Sequence, residues 1–186
     1  MQFSENRRIA FVVLAVCVLA GVFGLGGIGL SRERSKVLTV YDRGADTSIS
    51  TRHSMDAYLD SAAEQSRLMA AEGQLHLNDS QLKLAGSVEE LAGQLDAATD
   101  TNVRYDTYVS LKTAVDKLYN AMYEAAKDGE FTNFKKAYDD FWGYDDMIRH
   151  DEYPKLAAGY NDLISGIPGS LVAKIAGQGE LSTFGG

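Results

Sequence analysis

A long apolar run near the N-terminus constrains this chain more than any other feature of its sequence. Residues 9–30 read IAFVVLAVCVLAGVFGLGGIGL, 22 residues without a charged or strongly polar side chain. As an α-helix they extend roughly 33 Å at about 1.5 Å per residue, enough to cross the hydrocarbon core of a bilayer. The sequence therefore predicts a transmembrane helix over 9–30, preceded by a short tail over 1–8, with membrane lipid as its first partner.

A cleaved signal peptide is the main alternative, because it also begins with basic residues followed by an apolar run. The run is longer than a signal peptide requires, and no Ala-x-Ala cleavage site precedes the charges that follow it. Cys17, the only cysteine, lies within the run, so an internal disulfide is excluded. We expect no lipidation there, since Val16 stands where a lipoprotein signal has a small residue.

Glycines crowd the second half of the run, and Gly21, Gly24 and Gly27 recur at every third position. Glycines leave a smooth helix surface that another helix can approach closely, so these three are candidate positions for helix packing in the membrane. Glycine is also common in membrane helices generally, and the spacing leaves both interpretations open.

Positive charge on the two flanks of the run is nearly balanced. Arg7 and Arg8 precede it, and Arg32, Arg34 and Lys36 follow it. We expect the N-terminus inside, because a short tail then needs no translocation. This arrangement places the rest of the chain on the extracytoplasmic side of a single-pass membrane protein.

The chain is acidic, with a formal net charge of −8. After residue 30 it carries 16 basic and 25 acidic residues, and no stripe of lysine or arginine offsets the imbalance. A phosphate backbone would repel this surface, so nucleic acid is not an expected partner. The charge is typical of a soluble, solvated domain.

Beyond the apolar run, apolar or small residues recur at alternating steps of three and four, which indicates one-sided helices. The successive faces are Met55, Leu59, Ala62, Ser66, Met69 and Gly73; Leu84, Val88, Leu91, Leu95 and Ala98; Tyr108, Leu111, Val115, Leu118, Met122 and Ala125; Phe131, Phe134, Tyr138 and Phe141; and Tyr153, Leu156, Tyr160, Leu163 and Ile167. No run of comparable length alternates with the period of two that a strand requires.

These patterns predict an all-α protein, in which the transmembrane helix is followed by an antiparallel bundle of about four long helices. We expect a stem, linker or start of the first long helix over 31–52, the bundle over 53–169 and a C-terminal tail over 170–186. Lys127, Asp128 and Gly129 resemble a helix C-terminus. An elongated coiled coil is the alternative arrangement.

The second half of the chain carries a spaced set of aromatic, asparagine and small residues. Its members are Asn133, Phe134, Asp145, Asp146, Ile148, Tyr153, Tyr160, Asn161, Pro168, Leu171, Val172, Ala173, Gly177 and Phe184. This pattern resembles the LemA family of bacterial proteins, which have an N-terminal membrane helix and a helical domain. Pro154 departs from the family pattern, two residues are missing before Tyr153, and an Arg-Arg-x-x-Leu-x-Pro-Asn-Leu segment is absent.

The resemblance implies a bacterial cytoplasmic membrane protein whose motif residues pack the fold. The residues that carry it are Asn133, Phe134, Ile148, Tyr153, Tyr160, Asn161, Pro168, Leu171, Ala173 and Gly177. It implies neither a reaction nor a cofactor.

Acidic residues are densest between Asp139 and Glu152. Asp139, Asp145 and Asp146 are weak candidates for a cation site, since a helix can bring Asp139 and Asp146 to one side. No calcium-loop spacing or Glu-x-x-His pair supports a metal, and a solvated face is the simpler interpretation. The three histidines are far apart in sequence and none has a second ligand nearby.

The sequence holds no nucleophile elbow, no exposed cysteine with a base and no phosphate-binding loop, so we expect neither an enzyme nor a bound cofactor. The leading hypothesis is a membrane-anchored structural or interaction protein that presents its acidic domain to a protein partner, a membrane assembly or further copies of itself. The alternative is a single-pass receptor or sensor that binds a small ligand or cation at the acidic cluster.

Overall fold

The computed structural model describes residues 3–47, 50–51, 53–79, 81–125 and 131–184. Within these residues the chain is helical apart from one short β-ladder, as predicted. The elements are α1 (Phe3–Arg43), β1 (Asp46–Thr47), β2 (Ser50–Thr51), α2 (Met55–His76), α3 (Leu82–Ala97), α4 (Thr101–Ala125), α5 (Thr132–Arg149), α6 (Glu152–Ser165) and α7 (Gly169–Ile175). The two strands pair antiparallel with Asp46 opposite Thr51.

The chain divides into two compact units. The first comprises Met1–Thr39 and Leu156–Leu181, and the second Val40–Lys155 and Ser182–Gly186. Helix α1 extends past the predicted span through most of the expected stem, ending at Arg43 before Gly44, whose φ of 77° suits glycine.

The first unit contains the predicted membrane-spanning segment. It is the one helix of the described residues that is long and apolar enough to cross a membrane, and none of its most apolar window is buried against the chain. Lipid is a natural cover for such a surface.

The second unit has its core between α2 and the helices that pack on it, α3, α4 and α5. All six residues of the face predicted for α2 are buried, which confirms that prediction. The helix begins after Ser54, whose hydroxyl accepts a hydrogen bond of 3.1 Å from the Ala57 amide, the usual role of an N-cap serine.

The face predicted for α4 is confirmed in most positions, whereas two of the five predicted residues are buried for α3 and two of the four for α5. In α4 the first five members are buried and Ala125 is exposed. In α3 the buried residues are Val88 and Leu95 together with two alanines rather than Leu84 and Leu91, because alanine fits the closest approach of packed helices. Helix α5 begins at Thr132, and the expected helix end at 127–129 lies outside the described residues.

The face predicted for α6 is wrong in three of its five positions. Tyr153 and Tyr160 are buried, but Leu156, Leu163 and Ile167 are exposed. Ala157 and Ile164 complete the buried face instead. The helix has two apolar faces, and periodicity does not reveal which of them the protein covers.

The C-terminal segment, expected as a tail, contains a helix and buried side chains. Helix α7 buries Val172 and Ala173, and beyond it Leu181 and Phe184 are also buried. Gly177, with φ of 65°, follows α7 in the left-handed conformation that glycine adopts without strain.

Candidate functional site

The acidic residues between 139 and 152 do not form a common surface for a cation. Asp139 lies 2.5 Å from the Lys135 ammonium, and Asp140 lies 3.1 Å from that of Lys136. No group of three or more histidine, cysteine, aspartate or glutamate side chains among the described residues has the arrangement of a metal site. The carboxylates of α5 are thus largely paired along their own helix.

Asp145 is the exception, because it is buried rather than solvated as part of the acidic surface. Its residue surface is only 2% exposed, and the expectation of a solvated face is wrong at this position. The Tyr108 hydroxyl donates to Oδ1 at 2.9 Å, the Lys112 ammonium lies 3.1 Å from the same oxygen, and the Arg149 guanidinium lies 2.6 Å from Oδ2. A buried carboxylate needs such partners to offset its desolvation.

The partners of Asp145 come from two helices. Tyr108 and Lys112 are one turn apart on α4, and Arg149 follows Asp145 by one turn on α5. Burial, together with the charge and hydrogen bond of Asp145, raises the pKa of the Tyr108 phenol well above its usual range. The phenol therefore remains a neutral donor throughout the physiological pH range.

A cavity of about 250 Å³ adjoins this cluster. Its lining residues are Tyr105, Tyr108, Lys112, Asp145, Ile148, Arg149 and Phe184. Two cations and one carboxylate line it, so its formal charge is positive within an acidic domain. An ammonium has three donors and a guanidinium five, so both cations have further donors for a second partner besides Asp145.

A second buried charge, Arg104, links α4 to α2. Its side chain is 8% exposed and pairs with Asp56 and, at 2.7 Å, with Asp60. Burial raises the pKa of Asp56, against the opposing effect of Arg104. The two aspartates are four residues apart and so share a face of α2. The network is suited to fixing the two helices relative to each other.

An apolar groove lies between α2 and α5 of the second unit, with a volume of about 570 Å³. Its lining residues are Gln65, Leu68, Ala71, Glu72, Leu75, Asn133, Lys136, Ala137 and Asp140. Leu68 is 50% exposed and Leu75 is 76% exposed, while Ala71 lies between them. These three residues have the three-then-four spacing of a helix-pairing seam.

The residues that carry the family resemblance serve mainly in packing. Phe134, Ile148, Tyr153, Tyr160 and Ala173 are buried. The Asn161 side chain donates to the Leu181 carbonyl at 2.8 Å and accepts from the Leu181 amide at 2.9 Å, fastening the segment beyond α7.

The other resemblance residues have different environments. Leu171 is exposed, Asn133 lines the groove between α2 and α5, and Pro168 lies directly before α7.

Glycines of the apolar run contact a helix of the same unit. A Cβ atom placed on Gly26 would lie 3.3 Å from a methyl of Val172, and one on Gly27 would lie 3.7 Å from Ala176. Gly21 and Gly24 have open space at the corresponding positions. Of the three candidate packing glycines, Gly27 thus lies against the end of α7 and the other two do not.

Three features of these sites were not anticipated from the sequence. Arg104 gives no periodic signal, although Asp56 and Asp60 at a four-residue spacing could have indicated a cation between helices. Leu68 and Leu75 form a seven-residue repeat outside the main stripe of α2, which is a readable sign of a second apolar surface. The contact between Gly26 and α7 joins residues far apart in sequence and has no local signature.

Comparison of the chain with protein-family models, with curated proteins and with solved structures gives no match.

Proposed function

We propose that this chain is a single-pass membrane protein whose helical domain is an interaction module rather than an enzyme. The observation that carries the proposal is the apolar groove between α2 and α5, where Leu68 and Leu75 are exposed. Exposed large apolar side chains grouped in a groove are typical of protein-binding surfaces.

The anchor in this proposal is the apolar part of α1. Its length and composition suit a bilayer, and its most apolar window is not buried against the chain. The helical domain then lies on the extracytoplasmic side, with α2 to α5 as an antiparallel bundle. We further propose kinship with the LemA family, which is supported by the packing roles of Tyr160, Asn161 and Ala173 and by the layout of the chain.

The occupant we propose for the groove is an amphipathic helix of a partner protein. Leu68, Ala71 and Leu75 span about two helical turns, which matches the contact made by one face of a docked helix. Lys136 and Asp140 on α5 place both charge signs beside this apolar strip. A partner helix with an apolar stripe flanked by charges fits that surface.

Site-specific photo-crosslinking in native membranes tests this proposal. A photoreactive residue at Leu75 is expected to give a discrete crosslinked product, which the additional substitution Leu68→Glu abolishes. The matched control is a photoreactive residue at Val103, which is 53% exposed and does not line the groove. If both photoreactive variants yield no product besides the uncrosslinked chain, the proposal is contradicted. A product of twice the chain mass would identify a second copy as the partner.

The cavity beside Asp145 favours a second candidate function, a receptor for a small anion. Lys112 and Arg149 give it positive charge, so the cation version of this hypothesis has no support there. A thermal-shift screen of the intact protein against small carboxylates and phosphates tests it, because a bound ligand raises the melting temperature by linkage. An increase that Lys112→Gln removes would support it, and no increase with any compound would eliminate it.

A further inference from the structure

Helix α7 packs one of its sides on the apolar run of α1. Val172 and Ala173 are buried on that side, and Val172 faces Gly26 closely enough that an added Cβ would be 3.3 Å from its methyl group. A Cβ on Gly27 would be in ordinary contact with Ala176, at 3.7 Å. The tighter fit at Gly26 brings α7 close to α1 at the level of this residue.

This contact gives α7 a depth relative to the predicted span. Gly26 precedes Leu30, the last apolar residue of the run, by four positions, or about 6 Å of helix. A span that places residues 9–30 in hydrocarbon therefore brings Val172 to within about 6 Å of the boundary between acyl chains and headgroups. Amphipathic segments at membrane surfaces lie at a similar depth.

Four large aliphatic side chains between the end of α6 and the end of α7 are exposed. They are Leu163, Ile167, Leu171 and Ile175, named here the C-terminal apolar face, and Ile167 is 89% exposed. Residues 163–179 contain a single charged side chain, Lys174, in a chain whose net charge is −8. Four exposed aliphatic residues in a stretch with one charge are costly in water and favourable in lipid.

We propose that the C-terminal apolar face is a second membrane contact, inserted into the interfacial layer of the bilayer that α1 spans. The inference rests on the proposed span, because continuity with residues 9–30 identifies lipid as the cover. Lys174, the one charge of the segment, can extend its ammonium to the headgroups as interfacial lysines do. The membrane then holds the chain at two places far apart in sequence.

Depth-dependent fluorescence quenching tests this proposal on the full chain. Trp142, the single tryptophan, is replaced by phenylalanine, and one tryptophan is returned at a time by Leu171→Trp, Leu14→Trp or Tyr123→Trp. The proteins are reconstituted in phosphatidylcholine and phosphatidylglycerol vesicles with lipids brominated near the headgroup or near the end of the acyl chain. Leu14 reports the span, and exposed Tyr123 of the second unit is the control.

The inference predicts that the tryptophan at 171 is quenched most by bromines near the headgroup, that the one at 14 is quenched most by bromines deep in the acyl region, and that the one at 123 is not quenched. Quenching at 14 without quenching at 171 would overturn the inference and leave the span intact. No quenching at 14 would overturn the span itself. Unquenched emission at 171 that shifts to the blue as protein concentration rises would instead identify a second copy as the cover.

The variant Ile175→Trp serves as a repeat at an independent exposed position, in case Leu171→Trp disturbs α7. Helical content by circular dichroism must match that of the parent for either variant to count. Agreement between the two positions supports insertion of the whole face, and absence of quenching at both contradicts it.

Discussion

Removal of the Asp145 carboxylate is the most informative perturbation of the second unit. Asp145→Ala leaves the Lys112 ammonium and the Arg149 guanidinium without their counter-charge and the buried Tyr108 hydroxyl without its acceptor. Asp146→Ala is the matched control, since the carboxylate of Asp146 is 74% exposed and pairs with His150.

The expected loss of unfolding free energy depends on how far each partner of Asp145 can reach water. A buried pair broken on one side costs about 3–5 kcal/mol, but Arg149 is half exposed and Lys112 partly exposed, so we discount this contribution to about 1–2 kcal/mol. An unsatisfied buried hydroxyl adds about 1–3 kcal/mol. We therefore expect Asp145→Ala to lower the free energy of unfolding by about 2–5 kcal/mol, and Asp146→Ala to change it by less than about 0.5 kcal/mol.

The assay is urea unfolding of the full chain in detergent, followed by the fluorescence of Trp142. This residue is the only tryptophan and lies on α5, one turn before Asp145, so its emission reports the second unit without interference from the membrane helix. The same loss corresponds to a decrease in melting temperature of roughly 2–4 °C per kcal/mol for a chain of this size.

A double-mutant cycle with Tyr108→Phe separates the hydroxyl from the cations. Because the phenyl ring in that background has no donor to leave unsatisfied, Asp145→Ala should cost about 1 kcal/mol less there than in the parent. Equal stability of the Asp145→Ala and Asp146→Ala proteins would refute the reasoning, since it would mean that the Asp145 carboxylate is not held in a buried network.

Three further predictions concern other parts of the molecule. The raised pKa of Tyr108 stabilises the fold below about pH 10, and this stability is lost at higher pH because the phenol ionises first in the unfolded chain. The free energy of unfolding should therefore fall as pH rises above about 10, and Tyr108→Phe should make this fall less steep by up to about 1.4 kcal/mol per pH unit. Asn161→Ala should accelerate hydrogen exchange at the Leu181 amide by removing its acceptor, whereas Asn133→Ala should not. Gly26→Leu should expose α7 to hydrogen exchange by displacing Val172, while Gly29→Leu, which has open space, should leave it protected.

The sequence was most informative where one face of a helix is buried. In α2 every position that the periodic pattern assigned to the core is buried, because burial of the main apolar stripe determines the orientation of the helix. It was misleading for α6, where Leu163 belongs to a second apolar face that periodicity cannot rank below the first. Nor could the pattern show that α1 continues through most of the expected stem, since Val37 and Tyr41 are too few to form a recognisable stripe.

The polar sites were less predictable for a related reason. Asp145 and Asp146 are adjacent acidic residues on one helix, yet one is buried among cations and the other is exposed. The difference depends on Tyr108 and Lys112, which come from a helix distant in sequence. Sequence shows the charges of a segment, but tertiary packing decides which of them is desolvated.

The most direct test of the account is membrane extraction of the intact protein combined with its mass. The account predicts that the full-length chain, still carrying residues 9–30, stays in the membrane pellet after an alkaline carbonate wash and is released only by detergent. A mature chain found free in the soluble fraction, with a mass that lacks the apolar run, would contradict it.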